Sequence, residues 1–178
     1  MCSINKMNKK MNVAYIALGA NLSNPETTFR QAVAEMSANE IDILAASSLW
    51  HSPAWPAGSG HPDYVNAALK VSTSLGAAEL LRGLHALEAQ FGRERQTLNA
   101  PRSLDLDIID YAGQVRPANP ILPHPRSYQR AFVLLPLLEI EAGWEHPESD
   151  KSALELLAEL PSKDVLEHAV IKRDWLNS

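Results

Sequence analysis

The stretch Pro101-Arg102-Ser103-Leu104-Asp105-Leu106-Asp107-Ile108-Ile109 carries the most chemical information in this chain. In an extended strand, Asp105 and Asp107 point to one face, roughly 6.6 Å apart, while Leu104, Leu106 and Ile108 point to the other. Two carboxylates so placed can hold one magnesium ion or bridge a pair, leaving coordination positions for phosphate oxygens and water. The plain alternative is that one aspartate pairs with Arg102 and the other is solvated at a strand end. Arg93, Arg95 and Arg102 flank the polar loop that leads into this strand. Arginine stays charged at physiological pH and makes planar, two-pronged contacts to phosphate. Phosphoryl transfer needs such charge neutralisation more than it needs a strong base, and a loop of this kind can close over a nucleotide. Without the aspartates beside it, a solvated polar loop would be the simpler reading.

Two further groups of residues are candidates. His124 stands between Pro123 and Pro125, so its backbone is unusually constrained, and Arg126, Arg130 and Phe132 follow closely. A histidine in a turn is more often structural than catalytic. Tyr64 and Asn66 fall on the polar side of an alternating segment. An aromatic beside an amide suits a flat heterocycle with a hydrogen-bonding edge, and a surface or interface role is equally common for such a pair.

The elements that must position these groups follow from periodicity. Val13 to Leu18 is a short apolar run closed by Gly19, which reads as a buried strand. Asn24-Pro25-Glu26 opens a helix, with Asn24 as cap and Pro25 at its first position; Phe29, Val33 and Met36 form its apolar stripe. Ile41 to Trp50 is a second strand, followed by a loop rich in proline, glycine and serine. Tyr64 to Ser72 alternates, with Val65, Ala67, Leu69 and Val71 on one face. Ala77 to Phe91 is an amphipathic helix with Gly92 as its C-terminal cap. Leu104 to Tyr111 is a strand, Gln129 to Ile140 a helix bounded or interrupted near Pro136, and Lys151 to Leu160 a last short helix. Strand–helix–strand–strand–helix–strand is the split βαβ order of ferredoxin-like folds. Helices on one face of a mainly antiparallel sheet would leave the other face or an edge free for a ligand. The expectation is one α+β domain.

Composition sets the outer bounds. The 178 residues are 46% hydrophobic and 21% charged, enough for one proper core and no more than one domain. The formal net charge is −5, and the basic surplus of a nucleic-acid binder is absent. An acidic protein with local arginine clusters suggests a small anionic ligand. The single cysteine, Cys2, fits a reducing compartment, and no apolar stretch reaches the length of about 18 residues that spans a bilayer. Residues 1–12 are polar and lysine-containing and read as a disordered extension, with Met11 as an alternative start and the domain running from 13 to 178. The protein is expected to be cytoplasmic and monomeric, without nucleic-acid or membrane partners. Neither common nucleotide fingerprint is present, and C-x-x-C and H-E-x-x-H are both absent.

From Val13 to roughly Trp144 the chain resembles the 6-hydroxymethyl-7,8-dihydropterin pyrophosphokinase family. The matching stretches are YIALGANL, SSLWHSPA, HPDYVNAAL, LEAQFGRER, APRSLDLDII and LPHPRSYQRAFVLLPL, in that order. The resemblance implies a ferredoxin-like α/β sandwich that transfers diphosphate from ATP to the hydroxymethyl group of a dihydropterin in folate biosynthesis. It implies that Asp105 and Asp107 bind two Mg²⁺ ions bridging the ATP phosphates, and that Arg93 and Arg102 contact phosphates and stabilise the transferred group. Glu88, Arg95, Ile108, His124 and Arg130 would line the ATP site. Ser52, Pro53, Tyr64, Asn66 and Phe132 would form the pterin pocket, with Asn66 reading the ring edge and Phe132 stacking on it. Some positions depart from the pattern. The loop before Asn99 is one residue shorter than in well-known members, and Leu98 and Asn99 stand where some carry an arginine–tryptophan pair. His85 stands where a nucleotide-contacting glutamine can occur, and Trp55 replaces a smaller apolar residue. Two other readings stay open: a paralogue acting on another hydroxymethyl heterocycle, and a catalytically silent pterin- or nucleotide-binding protein.

Overall fold

The computed structural model describes residues 9–54, 58, 60–93 and 101–176. Trp55, Arg95, Leu98, Asn99 and most of the expected N-terminal extension lie outside the described residues. The first element is strand β1 (Asn12–Ala20), followed by helix α1 (Pro25–Ala38). Asn24 caps α1 as its residue type suggests, its Oδ1 accepting from the Thr27 N–H at 3.2 Å. The segment expected as one strand from Ile41 to Trp50 is two, β2 (Ile41–Ala46) and β3 (Leu49–Ser52). Ser47 breaks it by putting its hydroxyl into the ladder: Oγ accepts from Ala68 N–H at 2.9 Å, while its own N–H donates to the Ala68 carbonyl.

Strand β4 (Tyr64–Thr73), helix α2 (Ala77–Gln90) and strand β5 (Asp105–Tyr111) come next. A 3₁₀ turn at Ser127–Gln129 then leads into α3 (Ala131–Ile140), which runs through Pro136. Helices α4 (Ala153–Glu159) and α5 (Ser162–Leu166) and strand β6 (Ala169–Lys172) complete the described chain. Periodicity in the sequence indicates no element after Leu160, so α5 and β6 are additions to the expected order.

Every strand pairing is antiparallel, in the order β5-β1-β4-β3-β6, with β2 also on β4. Taking β2 and β3 as one broken strand, the first four positions are those of the ferredoxin-like sheet expected from the element order. One expectation is corrected. Helices cover both faces, not one. Ala14, Ile16, Leu18, Leu69, Val71, Leu104 and Leu106 pack under α1 and α2, whereas Tyr15 and Ile109 pack under α3 and α4 with Trp144. The strands carry apolar residues on both sides near Tyr15, so that end needs a second cover. Further along β1, Ala17 and Gly19 leave a lower surface on the same face. The site lies there.

Candidate active site

Strand register assembles the site. In β1, Gly19 pairs with Asp105 on one side and with Asn66 on the other. Ala17 likewise lies between Asp107 and Ala68. Cross-strand partners share a face, so both aspartates, Asn66 and Tyr64 stand on the α3 side of the sheet. Leu104, Leu106 and Ile108 go into the core beneath α2, as alternation demands. A Cβ built on Gly19 would sit 3.6 Å from Asn66 Oδ1 and 3.8 Å from Asp105 Cβ. The glycine therefore leaves a methyl-sized gap between Asp105 and the Asn66 amide.

Asp105 is the electrostatic hub. Arg93 and Arg102 each place Nη1 in ion-pair contact with it, one on Oδ1 and one on Oδ2. Oδ1 is buried, with Arg93 as its ion-pair partner. Burial works against the charge on Arg102, but Asp105 overrides it and pushes the guanidinium above its ordinary pKa. Asp107 is more open, with its side chain 43% exposed. His124 Nε2 lies 3.9 Å from its Oδ2. Burial pushes His124 below its ordinary pKa, with Asp107 opposing the shift. The backbone N–H of His124 donates to the Ile109 carbonyl at 2.8 Å, and the ring Nδ1 accepts from the Arg126 N–H at 3.3 Å. Arg130 is pushed down by burial first and by Arg126 second. A bound anion would relieve that strain between cations.

Glu88 and Ile108 sit deeper than residues lining an open nucleotide site would. Glu88 is 1% exposed on the buried stripe of α2. Its Oε1 accepts the Leu106 N–H at 2.7 Å, between the two aspartates, and it pairs with Arg93. It thus gives edge strand β5 an acceptor and holds Arg93 beside Asp105. Ile108, 3% exposed, packs in the core, so only its backbone is placed to reach a nucleotide.

On the other side of Gly19, Asn66 is buried and donates from Nδ2 to Ser52 Oγ at 2.8 Å, which fixes the orientation of its amide. Ser52 is opposite Tyr64, and Pro53 is exposed just beyond. Phe132, in the first turn of α3, is half-buried, and the Arg130 guanidinium lies 5.4 Å from its ring centre. Asn21 is a further organising residue to which the sequence reading gave no role. Its Oδ1 accepts Arg102 N–H at 2.7 Å, its N–H donates to the Arg102 carbonyl, and Nδ2 donates to the Pro62 carbonyl at 3.1 Å. One buried side chain thus ties the arginine loop to the loop before Tyr64. A buried asparagine directly after a strand was the available signal.

A donor set of two carboxylates fits magnesium, which takes one or two from protein and the rest from phosphate and water. Among the described residues there is no cluster of three or more acidic, histidine or cysteine ligands. The Asp107 carboxylate is open to such an ion, whereas both oxygens of Asp105 are already paired with Arg93 and Arg102 and would be shared with it.

The family model described as 7,8-dihydro-6-hydroxymethylpterin-pyrophosphokinase (HPPK) matches residues 15–142. A 2-amino-4-hydroxy-6-hydroxymethyldihydropteridine pyrophosphokinase of Synechocystis sp. is 37% identical over 149 residues, which cover 83% of this chain and 75% of that one. The Haemophilus influenzae protein of the same name is 34% identical over 165 residues, covering 91% of this chain and 98% of the relative. Among solved structures, Plasmodium falciparum HPPK-DHPS aligns with TM-score 0.66 at 12% identity. That match covers 86% of this chain but only 45% of the bifunctional protein, and it speaks to fold alone. With this match across most of its length, and with relatives above 30% identity over most of theirs, the chain belongs to the 6-hydroxymethyl-7,8-dihydropterin pyrophosphokinase family.

Proposed function

We propose that this chain transfers the β,γ-diphosphoryl group of ATP to 6-hydroxymethyl-7,8-dihydropterin, releasing AMP. The observation that carries the reading is the row Asp105–Gly19–Asn66. Neighbouring strands are about 4.8 Å apart, so the backbones that carry the carboxylate and the amide stand about 10 Å apart, with a gap over Gly19 between them. That gap suits a bicyclic ring whose edge meets Asn66 while its hydroxymethyl arm reaches toward Asp105.

Asp105 and Asp107 would hold two Mg²⁺ ions, which when bound neutralise phosphate oxygens and orient the chain of phosphates. The arginines do the rest of the charge work. In the resting arrangement Arg93 and Arg102 pair with Asp105, and their guanidinium groups are the donors available to the transferred group and the leaving oxygen. His124 and Arg130 line the nucleotide side, with Arg95 assigned there by resemblance. Ser52, Pro53, Tyr64 and Phe132 surround the pterin ring, Phe132 offering a face for stacking. The hydroxymethyl oxygen forms a bond to the β-phosphorus, the bond from that phosphorus to the α-phosphate oxygen breaks, and the hydroxyl proton leaves to solvent. No enzyme nucleophile takes part.

The same reading has the enzyme act on small molecules, as a cytoplasmic monomer. A net charge of −5 supports the lack of a polyanionic partner, and no helix of the described residues is long and apolar enough to cross a membrane. The test is chromatography of nucleotides after incubation with Mg·ATP and 6-hydroxymethyl-7,8-dihydropterin. AMP equal to the pterin diphosphate formed supports the reading; ADP, or no pterin-dependent consumption of ATP, contradicts it.

A further inference from the structure

The family match ends at residue 142, yet the chain after it returns to the site. Strand β6 pairs with β3, placing Ala169 opposite His51 and Val170 opposite Trp50. One step further along this register, His168 falls opposite Ser52, on the face that carries Tyr64 and Asn66. Its imidazole indeed lies over Phe132: the ring centres are 6.4 Å apart and the planes 22° from parallel. The Asp164 and Val165 carbonyls lie beside the ring, so contacts with α5 and with Phe132 together set where it sits. Burial pushes its pKa below the ordinary value, with the Asp164 and Val165 carbonyls opposing. The group stacked on Phe132 near neutral pH is therefore an uncharged flat ring.

We propose that His168 is a positioning residue of the pterin pocket, acting through Phe132; the proposal rests on the pterin reading given above. Phe132 is half-buried at the start of α3. The imidazole packs against it and fixes the plane on which a pterin would stack. The C-terminal return is thus part of the substrate site, although it lies outside the matched segment. Arg130, 5.4 Å from the same ring, connects that plane to the cationic side of the site.

The experiment compares His168→Leu, which keeps apolar bulk but has no flat face, with His168→Phe, which restores one. Pterin and ATP affinities are measured separately by calorimetry on the full chain, with kcat and thermal unfolding alongside. The leucine variant is expected to bind pterin about tenfold more weakly, while ATP affinity and kcat stay within about twofold. The phenylalanine variant is expected to recover pterin affinity. Unchanged pterin binding in the leucine variant, equal losses for both ligands, or no recovery with phenylalanine would each overturn the role of His168. If the leucine variant does not fold, the phenylalanine variant decides: wild-type pterin affinity supports the role, and a tenfold loss removes it. A wild-type protein that binds no pterin would instead defeat the functional reading itself, and the positioning role with it.

Discussion

Asp105 and Asn66 face each other across Gly19, one residue from each of three adjacent strands in a single row. The pairing of β1 with both neighbours makes this distance a property of the sheet, not of a loop. A methyl group at Gly19 would make ordinary contacts with both partners, and glycine within a strand carries an entropic penalty that alanine removes. Gly19→Ala should therefore fold with an unchanged or slightly higher unfolding temperature, yet bind pterin at least tenfold more weakly. Calorimetry beside thermal unfolding reads both. Undiminished pterin binding would show that the gap over Gly19 is not where the ring lies.

Asp107 is the more open of the two carboxylates, its side chain 43% exposed against 21% for Asp105. Asp107→Ala should lower kcat by about a hundredfold to a thousandfold, as removal of a group that stabilises transition-state charge does. Its fold should be intact, because the residue supports no described core contact. Steady-state rates over a Mg²⁺ titration check this. Normal turnover would remove the metal assignment.

Glu88 has a different signature. Its carboxylate is buried, takes the Leu106 N–H and pairs with Arg93. Glu88→Ala would leave that N–H without its acceptor and Arg93 without one of its carboxylates. Breaking a buried pair by removing one partner costs about 3–5 kcal/mol. A loss of that order in urea unfolding, together with reduced turnover, is the expected result. An equally stable variant with weaker ATP binding alone would make Glu88 a nucleotide contact instead of a brace.

Stability should depend on pH through the buried histidines. Burial lowers the folded pKa of His124, His146 and His168. The unfolded chain, with histidine pKa near 6.5, then takes up protons first. Stability is complete above about pH 6.5 and is lost as pH falls toward the folded pKa values. His146 packs edge-on against Tyr128 and Trp144, away from the candidate active site, so His146→Gln isolates one share of the effect. The wild type should unfold at lower temperature at pH 5.5 than at pH 7.5, and the variant should show a smaller drop. An identical drop in both would exclude His146 from the effect.

Strand alternation explains how much of this was readable in the sequence. Alternation puts Asp105 and Asp107 opposite Leu104, Leu106 and Ile108 in one strand, and Tyr64 and Asn66 opposite Val65, Ala67, Leu69 and Val71 in another, and the structure has both arrangements. Asn24 and Pro25 announced α1 through their own backbone chemistry. What local pattern could not reveal is long-range. Ser47 splits a strand only because Ala68 lies beside it. Glu88 looks like a surface charge until its position four residues after Leu84 on the buried stripe is noticed. The second helical layer depends on Tyr15 and Ile109 being apolar on the face opposite the first core. Strand β6 is four residues long, too short for its alternation to stand out, and its place follows from pairing with β3.

The central claim is that attack occurs at the β-phosphorus, and ATP labelled at that phosphorus tests it most directly. With Mg²⁺ and 6-hydroxymethyl-7,8-dihydropterin, the account predicts that the β label leaves with the γ-phosphate on the pterin, while AMP is unlabelled. Label recovered in ADP would contradict it, because the attack would then have fallen on the γ-phosphorus.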